Sequence, residues 1–449
     1  ISRQSFWNAD RTLIFTNNTV EVYKILKGTI ASSTVEVVTV GGSVDGTSMV
    51  ASDLLELEIG KTGIFFCHNN NAGMRSPSSG KMLYDVYASS QGFLEYDMTM
   101  QLASAPFAKN QNVREILYPQ IEKLSGTHAV VKKELPVANN QNRLFAPGNI
   151  TFSPTTVNAG ALLDPATNLL TISGTDFGNP AGSAAVFFDN ANDGSGGSFT
   201  GLAYNSPLIV SWSNTQIQVR VPTLAGTGLI AVRDEFGATV MSADELNVNY
   251  AIITSAFSAT AIKETNQMNA NGSGGYSVLY STSSANGGVD FNSVPAAKAA
   301  FQRALNTWNE VAGWNVTEGG NTTSQAVAND GVNIVMFDNT ATGVAVLPDG
   351  VLGTCFSFSS MCLPLATNQG QLTGFDIVLR NEPVSAGTAA FVSGPCPPAA
   401  TDFTALDLET VILHELGHAV GLAHVNFNYE GTVLPQINPG LLMNFALVN

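Results

Sequence analysis

Hydrophobic and polar positions alternate through much of the first half of the chain, whereas helical spacing belongs mainly to the second half. Val20-Glu21-Val22-Tyr23-Lys24-Ile25-Leu26 and Val35-Glu36-Val37-Val38-Thr39-Val40 alternate in part and are rich in β-branched residues, the pattern of half-buried strands. Gly41-Gly42 and Asp45-Gly46 mark turns, and the run Ile64-Phe65-Phe66-Cys67 predicts a buried strand. A helix is expected over 112–123, where Val113, Ile116, Leu117 and Ile121 share a face. Residues 1–143 therefore read as a mainly-β unit, closed by the polar stretch Ala138-Asn139-Asn140-Gln141-Asn142-Arg143.

From 146 to 250 short strands recur between Gly and Pro turns, including Leu170-Thr171-Ile172-Ser173, Val186-Phe187-Phe188-Asp189, Gln216-Ile217-Gln218-Val219 and Leu229-Ile230-Ala231-Val232. That rhythm predicts a β-sandwich of about 100 residues. Residues 251–449 mix both periods. Ala297, Ala300, Phe301, Ala304, Leu305, Trp308 and Val311 define one face of a helix with Ser293 as a candidate cap. Strands are expected at 332–337, 352–358 and 375–379. A last helix should begin near Thr404, where Thr404-Ala405-Leu406-Asp407 reads as a capping box with Asp in place of Glu. The fold class is thus multidomain: a mainly-β N-terminal unit, a β-sandwich and an α+β unit.

Composition narrows the setting. Charged residues are 12% of the chain, about half the usual share, and the net charge is −16. This acidity argues against nucleic acid and anionic membranes as partners, and no apolar run reaches 18 residues, so no membrane insertion is expected. Residues 251–449 hold 14 Asp or Glu against 4 Lys or Arg, which suits a solvated surface or cationic substrates equally. The chain opens at Ile1 without an initiator Met, which reads as a processed chain.

Three of the five histidines lie within eleven positions, His414-Glu415-Leu416-Gly417-His418-Ala419-Val420-Gly421-Leu422-Ala423-His424. Residues four apart on a helix share a face, so His414 and His418 can hold one metal ion, and imidazole suits Zn²⁺. Glu415, rotated by about 100°, overhangs the open position as a general base should. Gly421 can adopt a positive φ, end the helix and let His424 return as a third ligand. Three protein nitrogens leave one place for water, the arrangement of a catalytic zinc. A closed structural site would need a fourth donor, for which Asp407 and Glu409 are the local candidates. His68 and His128 are isolated in sequence and read as surface or satisfied histidines.

The eleven-residue stretch resembles the metzincin clan of zinc endopeptidases, whose HExxHxxGxxH pattern it meets at every fixed place. Leu441-Leu442-Met443-Asn444-Phe445, preceded by Pro439-Gly440, resembles the clan's methionine turn and is closest to the matrixin-like bacterial type. The resemblance implies His414, His418 and His424 as zinc ligands, Glu415 as catalytic base and Met443 as the floor. Phe445 stands where some families place a ligating tyrosine, and the chain ends at Asn449, before the usual pocket wall and closing helix. By the same analogy 352–358 is the edge strand that pairs with a peptide substrate, and the protein is secreted. The middle unit, with its Ser173-Gly174-Thr175-Asp176-Phe177-Gly178 turn, resembles the IPT/TIG immunoglobulin-like domain. That likeness implies spacing or contact with a protein or glycan partner. One zinc is expected. Calcium is allowed through oxygen ligands, although the Asp189–Asp193 loop departs from a standard calcium loop and reads as a hairpin.

Of the cysteines Cys67, Cys355, Cys362 and Cys396, the last three fall in the C-terminal unit. Cys362–Cys396 is the favoured disulfide, with Cys355–Cys362 as competitor. Cys67 lacks the Pro-Arg-Cys-Gly setting of a matrixin latency thiol and is expected to be a buried strand residue. Two further readings stand beside the peptidase: an adhesin or binding protein with a degenerate zinc domain, and a latent precursor in which residues 1–143 block the cleft.

Overall fold

In the computed structural model of the chain, the described residues are 2–97, 102–105, 108–134, 147–193, 198–258, 261–282, 289–338, 347–348, 350–361, 369–381, 390–395, 405–425 and 442–443. They form a β-rich, multidomain structure. In the N-terminal region, strands Ser2–Trp7, Ile14–Glu21, Thr34–Val40, Tyr84–Val86 and Cys67–Asn69 make one sheet in that order. Gly63–Phe65 belongs to a second sheet. The apolar run 64–67 therefore does not form the single buried strand expected. It splits between two sheets, Phe66 is 42% exposed, and Cys67 is an exposed free thiol because its strand lies at a sheet edge. The helix expected over 112–123 appears as a π-turn, Val113–Leu117, leading into Tyr118–Ser125, with the Asn112 side chain accepting from Glu115 N.

Two facing sheets make the middle unit. Gly148–Ser153, Leu169–Thr175, Gln216–Arg220 and Ile209–Trp212 form one; Thr156–Ala159, Thr239–Ile252, Ala225–Arg233, Ala185–Asn190 and Phe199–Ala203 form the other. Alternate residues of both, among them Ile172, Ile217, Val186, Phe188, Ile230 and Leu246, meet in one core.

The C-terminal unit is organised on a larger sheet. Its path runs Thr317–Thr322, Ser277–Ser281, Asn333–Phe337, Gln369–Leu379 and Gly353–Met361. The period of two sorts its residues cleanly. Val335, Phe337, Phe375, Ile377 and Leu379 face the helices Pro295–Ala312 and Leu408–Val420, whereas Ile334, Met336, Phe356, Phe358 and Val378 face the other way. Leu13, Ile14 and Met49 of the N-terminal region cover that second face. The sheet itself continues into the N-terminal region. Thr47–Ala51 pairs antiparallel with Gly353–Met361, placing Ala51 opposite Phe356 and Thr47 opposite Ser360, and Gly42–Val44 follows. The strand expected to be a free edge is covered by the chain's own N-terminal segment.

Helix Pro295–Ala312 buries Ala297, Ala300, Phe301, Ala304 and Leu305 as its spacing predicts, but Val311 is 78% exposed. Ser293 is not its cap. It closes a short turn capped by Asp290, and the helix starts at Pro295, whose fixed φ suits the first helical turn. Arg303 joins the two helices through Glu409 (2.6 Å), and Trp308 Nε1 donates to the Leu413 carbonyl (2.8 Å). Among the described residues, no helix is long and apolar enough to cross a membrane.

Candidate metal centre

The helix Leu408–Val420 begins where Asp407, not Thr404, caps it: the Asp407 carboxylate accepts from Thr410 N (2.9 Å). Thr404 lies outside the described residues. Leu408, Val411, Ile412, Leu416 and Ala419 anchor one face in the core, and His414, Glu415 and His418 are each at most 3% exposed. The helix stops at Gly421, whose φ of +108° is left-handed and whose N–H reaches the Gly417 and His418 carbonyls. Gln267 Nε2 donates to the carbonyls of Ala419 and Val420. Leu422 and Ala423 then pair antiparallel with Ile252 and Ala251, and this reversal delivers His424.

A Cβ at Gly421 would meet no backbone, so the constraint there is conformational. A β-branched residue in this region costs about 1–2 kcal/mol. Gly421→Val is expected to weaken zinc affinity, measured by competition with a chelator, more than it lowers the melting temperature of the zinc-free chain. Equal zinc affinity in a folded variant would refute the turn's role.

The three imidazoles converge through Nε2. His414 to His418 is 3.0 Å, His414 to His424 is 3.1 Å and His418 to His424 is 3.2 Å. Each Nδ1 already has an acceptor: His414 donates to the Leu442 carbonyl, His418 to the Leu422 carbonyl and His424 to Asn192 Oδ1, all at 2.8 Å. With a proton held at each Nδ1, the three Nε2 atoms are the ones left to present lone pairs to one point. Burial pulls His414 down to about 4 against the pull of Asp53, and burial with the neighbouring rings lowers His418 well below its ordinary range, so both are neutral at pH 7. Facing lone pairs in a dry site are unfavourable unless a cation lies between them. Zinc–nitrogen bonds of about 2.0–2.1 Å in tetrahedral geometry place nitrogens about 3.3 Å apart, close to what is found.

A fourth donor completes the cluster, and it is neither Asp407 nor Glu409. Asp53, just after strand Thr47–Ala51, puts Oδ1 3.2 Å from His424 Nε2 and Oδ2 3.7 Å from His418 Nε2. That Oδ2 is buried without a hydrogen-bond partner, an orphaned oxygen beside the cluster. Asp53 sits at φ +60°, a region Asp tolerates better than most residues. Burial alone would raise its pKa, but positive charge among the facing imidazoles, His424 first, acts the other way and holds the carboxylate below the usual range. Among the described residues, Asp53, His414, His418 and His424 form the one group of His, Cys, Asp and Glu close enough to hold a metal ion.

Glu415 stands beside this group. Its Oε2 accepts from Ser52 Oγ (3.1 Å), and Ser52 Oγ also accepts from Cys355 N (2.8 Å). Ser52 N donates to the Cys355 carbonyl, extending the pairing of the N-terminal strand toward the cluster. Burial, and then the neighbouring Asp53 charge, push Glu415 well above the ordinary carboxylate range. The close approach needs Gly353, where a Cβ would come within 2.6 Å of Glu415 Oε1. Met443 is 7% exposed, and a Cβ on Gly417 would collide with its Sδ. That contact explains a glycine inside a helix, where it costs about 1 kcal/mol relative to alanine.

Sequence reasoning placed His414, Glu415, His418, Gly421, His424 and Met443 together, and the structure brings them together. It missed Asp53, Ser52 and Asn192, which arrive from distant segments. Cys355 is a buried free thiol, which removes the Cys355–Cys362 pairing; Cys362, Cys396 and Phe445 lie outside the described residues. His68 and His128 are 41% and 99% exposed at the side chain and remain apart from the cluster. No protein family model matches this chain, and no curated protein matches it.

Proposed function

We propose that this chain is a secreted zinc-dependent endopeptidase of metzincin type, in a form blocked by its own N-terminal segment. The observation that carries the reading is the convergence of three Nε2 lone pairs and one carboxylate beside a buried Glu415. Zinc bound there would acidify a water and polarise a scissile carbonyl. Glu415 would take the water proton and return it to the leaving amine. Strand Gly353–Met361 would hold the substrate backbone by strand addition. The middle unit, read as IPT/TIG-like, would place the catalytic unit or contact a protein or glycan.

Asp53 and Ser52 support the blocked form. Strand Thr47–Ala51 takes the edge that a peptide would use, Asp53 takes the fourth donor place, and Ser52 binds the base. Four protein donors also favour a second reading, a structural zinc in a binding protein. The two part on one experiment. Metal analysis should return a single zinc ion per chain, lost in His418→Ala. Limited proteolysis that releases the Thr47–Asp53 segment should elicit casein hydrolysis, abolished by a chelator and restored by zinc. A cut, zinc-loaded chain that cleaves nothing supports the structural reading and overturns the peptidase.

A further inference from the structure

The three ligand histidines are oriented by unlike partners. His414 and His418 give their Nδ1 protons to backbone carbonyls of Leu442 and Leu422. His424 gives its proton to a side chain, Asn192 Oδ1, 232 positions earlier in the chain. Asn192 belongs to the turn after strand Ala185–Asn190 in the middle unit, and its own N–H is held by Asn190 Oδ1 (3.0 Å). Asn190 is tied in turn to Ser198 by its backbone N–H and its side-chain amide, both at 3.0 Å.

The segment bearing His424 is joined to the same unit along its length. Leu422 and Ala423 extend the sheet at Ile252 and Ala251, and Ile253 N donates to the Gly421 carbonyl (2.7 Å). Val425 N donates to the Met443 carbonyl (2.9 Å), and both side chains are buried in the core between the two sheets of the middle unit. The unit expected to act as a spacer thus carries the last ligand and the methionine floor.

We infer that Asn192 is a positioning residue of the metal centre, through which the middle unit fixes the third ligand's tautomer and ring plane; this rests on the zinc reading above. Only an acceptor can serve at this position, because a ring that ligates through Nε2 must carry its proton on Nδ1. Asn192→Ala removes the acceptor. Asn192→Asp keeps an oxygen in the same place and adds charge that strengthens the bond.

The test uses the full-length chain and two readouts besides turnover: zinc affinity in competition with a chelator, and the visible spectrum of the cobalt-substituted protein. Asn192→Ala should lose roughly 10–100-fold in zinc affinity and shift the cobalt bands, while the melting temperature of the zinc-free chain stays near the parent's. Asn192→Asp should restore both readouts. Unchanged affinity and spectrum in Asn192→Ala, or an equal loss in the Ala and Asp variants, would overturn the inference while leaving the zinc reading intact. A parent chain that binds no zinc overturns both.

Discussion

Full-length protein carrying Asp53→Ala should hydrolyse a peptide substrate that the parent leaves largely intact, with activity raised about 10- to 100-fold. The side chain is 16% exposed and lies against all three clustered imidazoles. A bond between a charged group and a buried partner contributes about 1.5–3 kcal/mol, and each 1.4 kcal/mol is a factor of ten in the closed-to-open equilibrium. The substitution removes that contribution but leaves strand Thr47–Ala51 paired with Phe356–Ser360, so opening should be partial. Adding Ser52→Ala, which frees Glu415 and the Cys355 N–H, should raise activity further. Zinc content should hold in both variants because three nitrogens remain. If the proteolytically trimmed chain is active and Asp53→Ala matches the intact parent, Asp53 is not the latch.

The histidine triad was legible because its geometry is local. A spacing of four on a helix and one glycine turn bring three histidines together within eleven residues, and Gly421 adopts the backbone that the spacing demanded. Asp53 carries no such mark. Ala51-Ser52-Asp53-Leu54 is an ordinary stretch, and the hydrogen bond from Ser52 to Glu415 spans 363 positions, set by a strand pairing that no local pattern encodes. The same long-range pairing joins the N-terminal region to the C-terminal sheet, although the polar stretch at 138–143 had suggested separate units. Asn192 was hidden for another reason: an asparagine in a turn usually serves its own backbone. Strand parity was readable at Asn333–Phe337 and Gln369–Leu379, where both faces are buried and the residues divide between two cores. It failed at 64–67, where one apolar run serves two sheets and ends at an exposed edge.

Glu415→Gln, placed in the activated Asp53→Ala chain, should keep the zinc and lower turnover by roughly 10²–10⁴. The amide is nearly the size of the carboxylate and can still accept from Ser52 Oγ, so the helix and the ligands stay in place. What disappears is the capacity to take a proton. In the blocked form, burial and the Asp53 carboxylate both raise the Glu415 pKa, which favours the protonated carboxyl over the base form. Withdrawing Asp53 removes the like charge and admits water, and a bound zinc ion pulls in the same direction. In the proposed peptidase the latch would act at two places, the fourth donor position and the base. Steady-state kinetics with a quenched peptide and metal analysis of each variant check this directly. Turnover in the double variant near that of Asp53→Ala alone, with zinc retained, would remove Glu415 from the mechanism, whereas joint loss of zinc and activity would show that the carboxylate is needed to build the site.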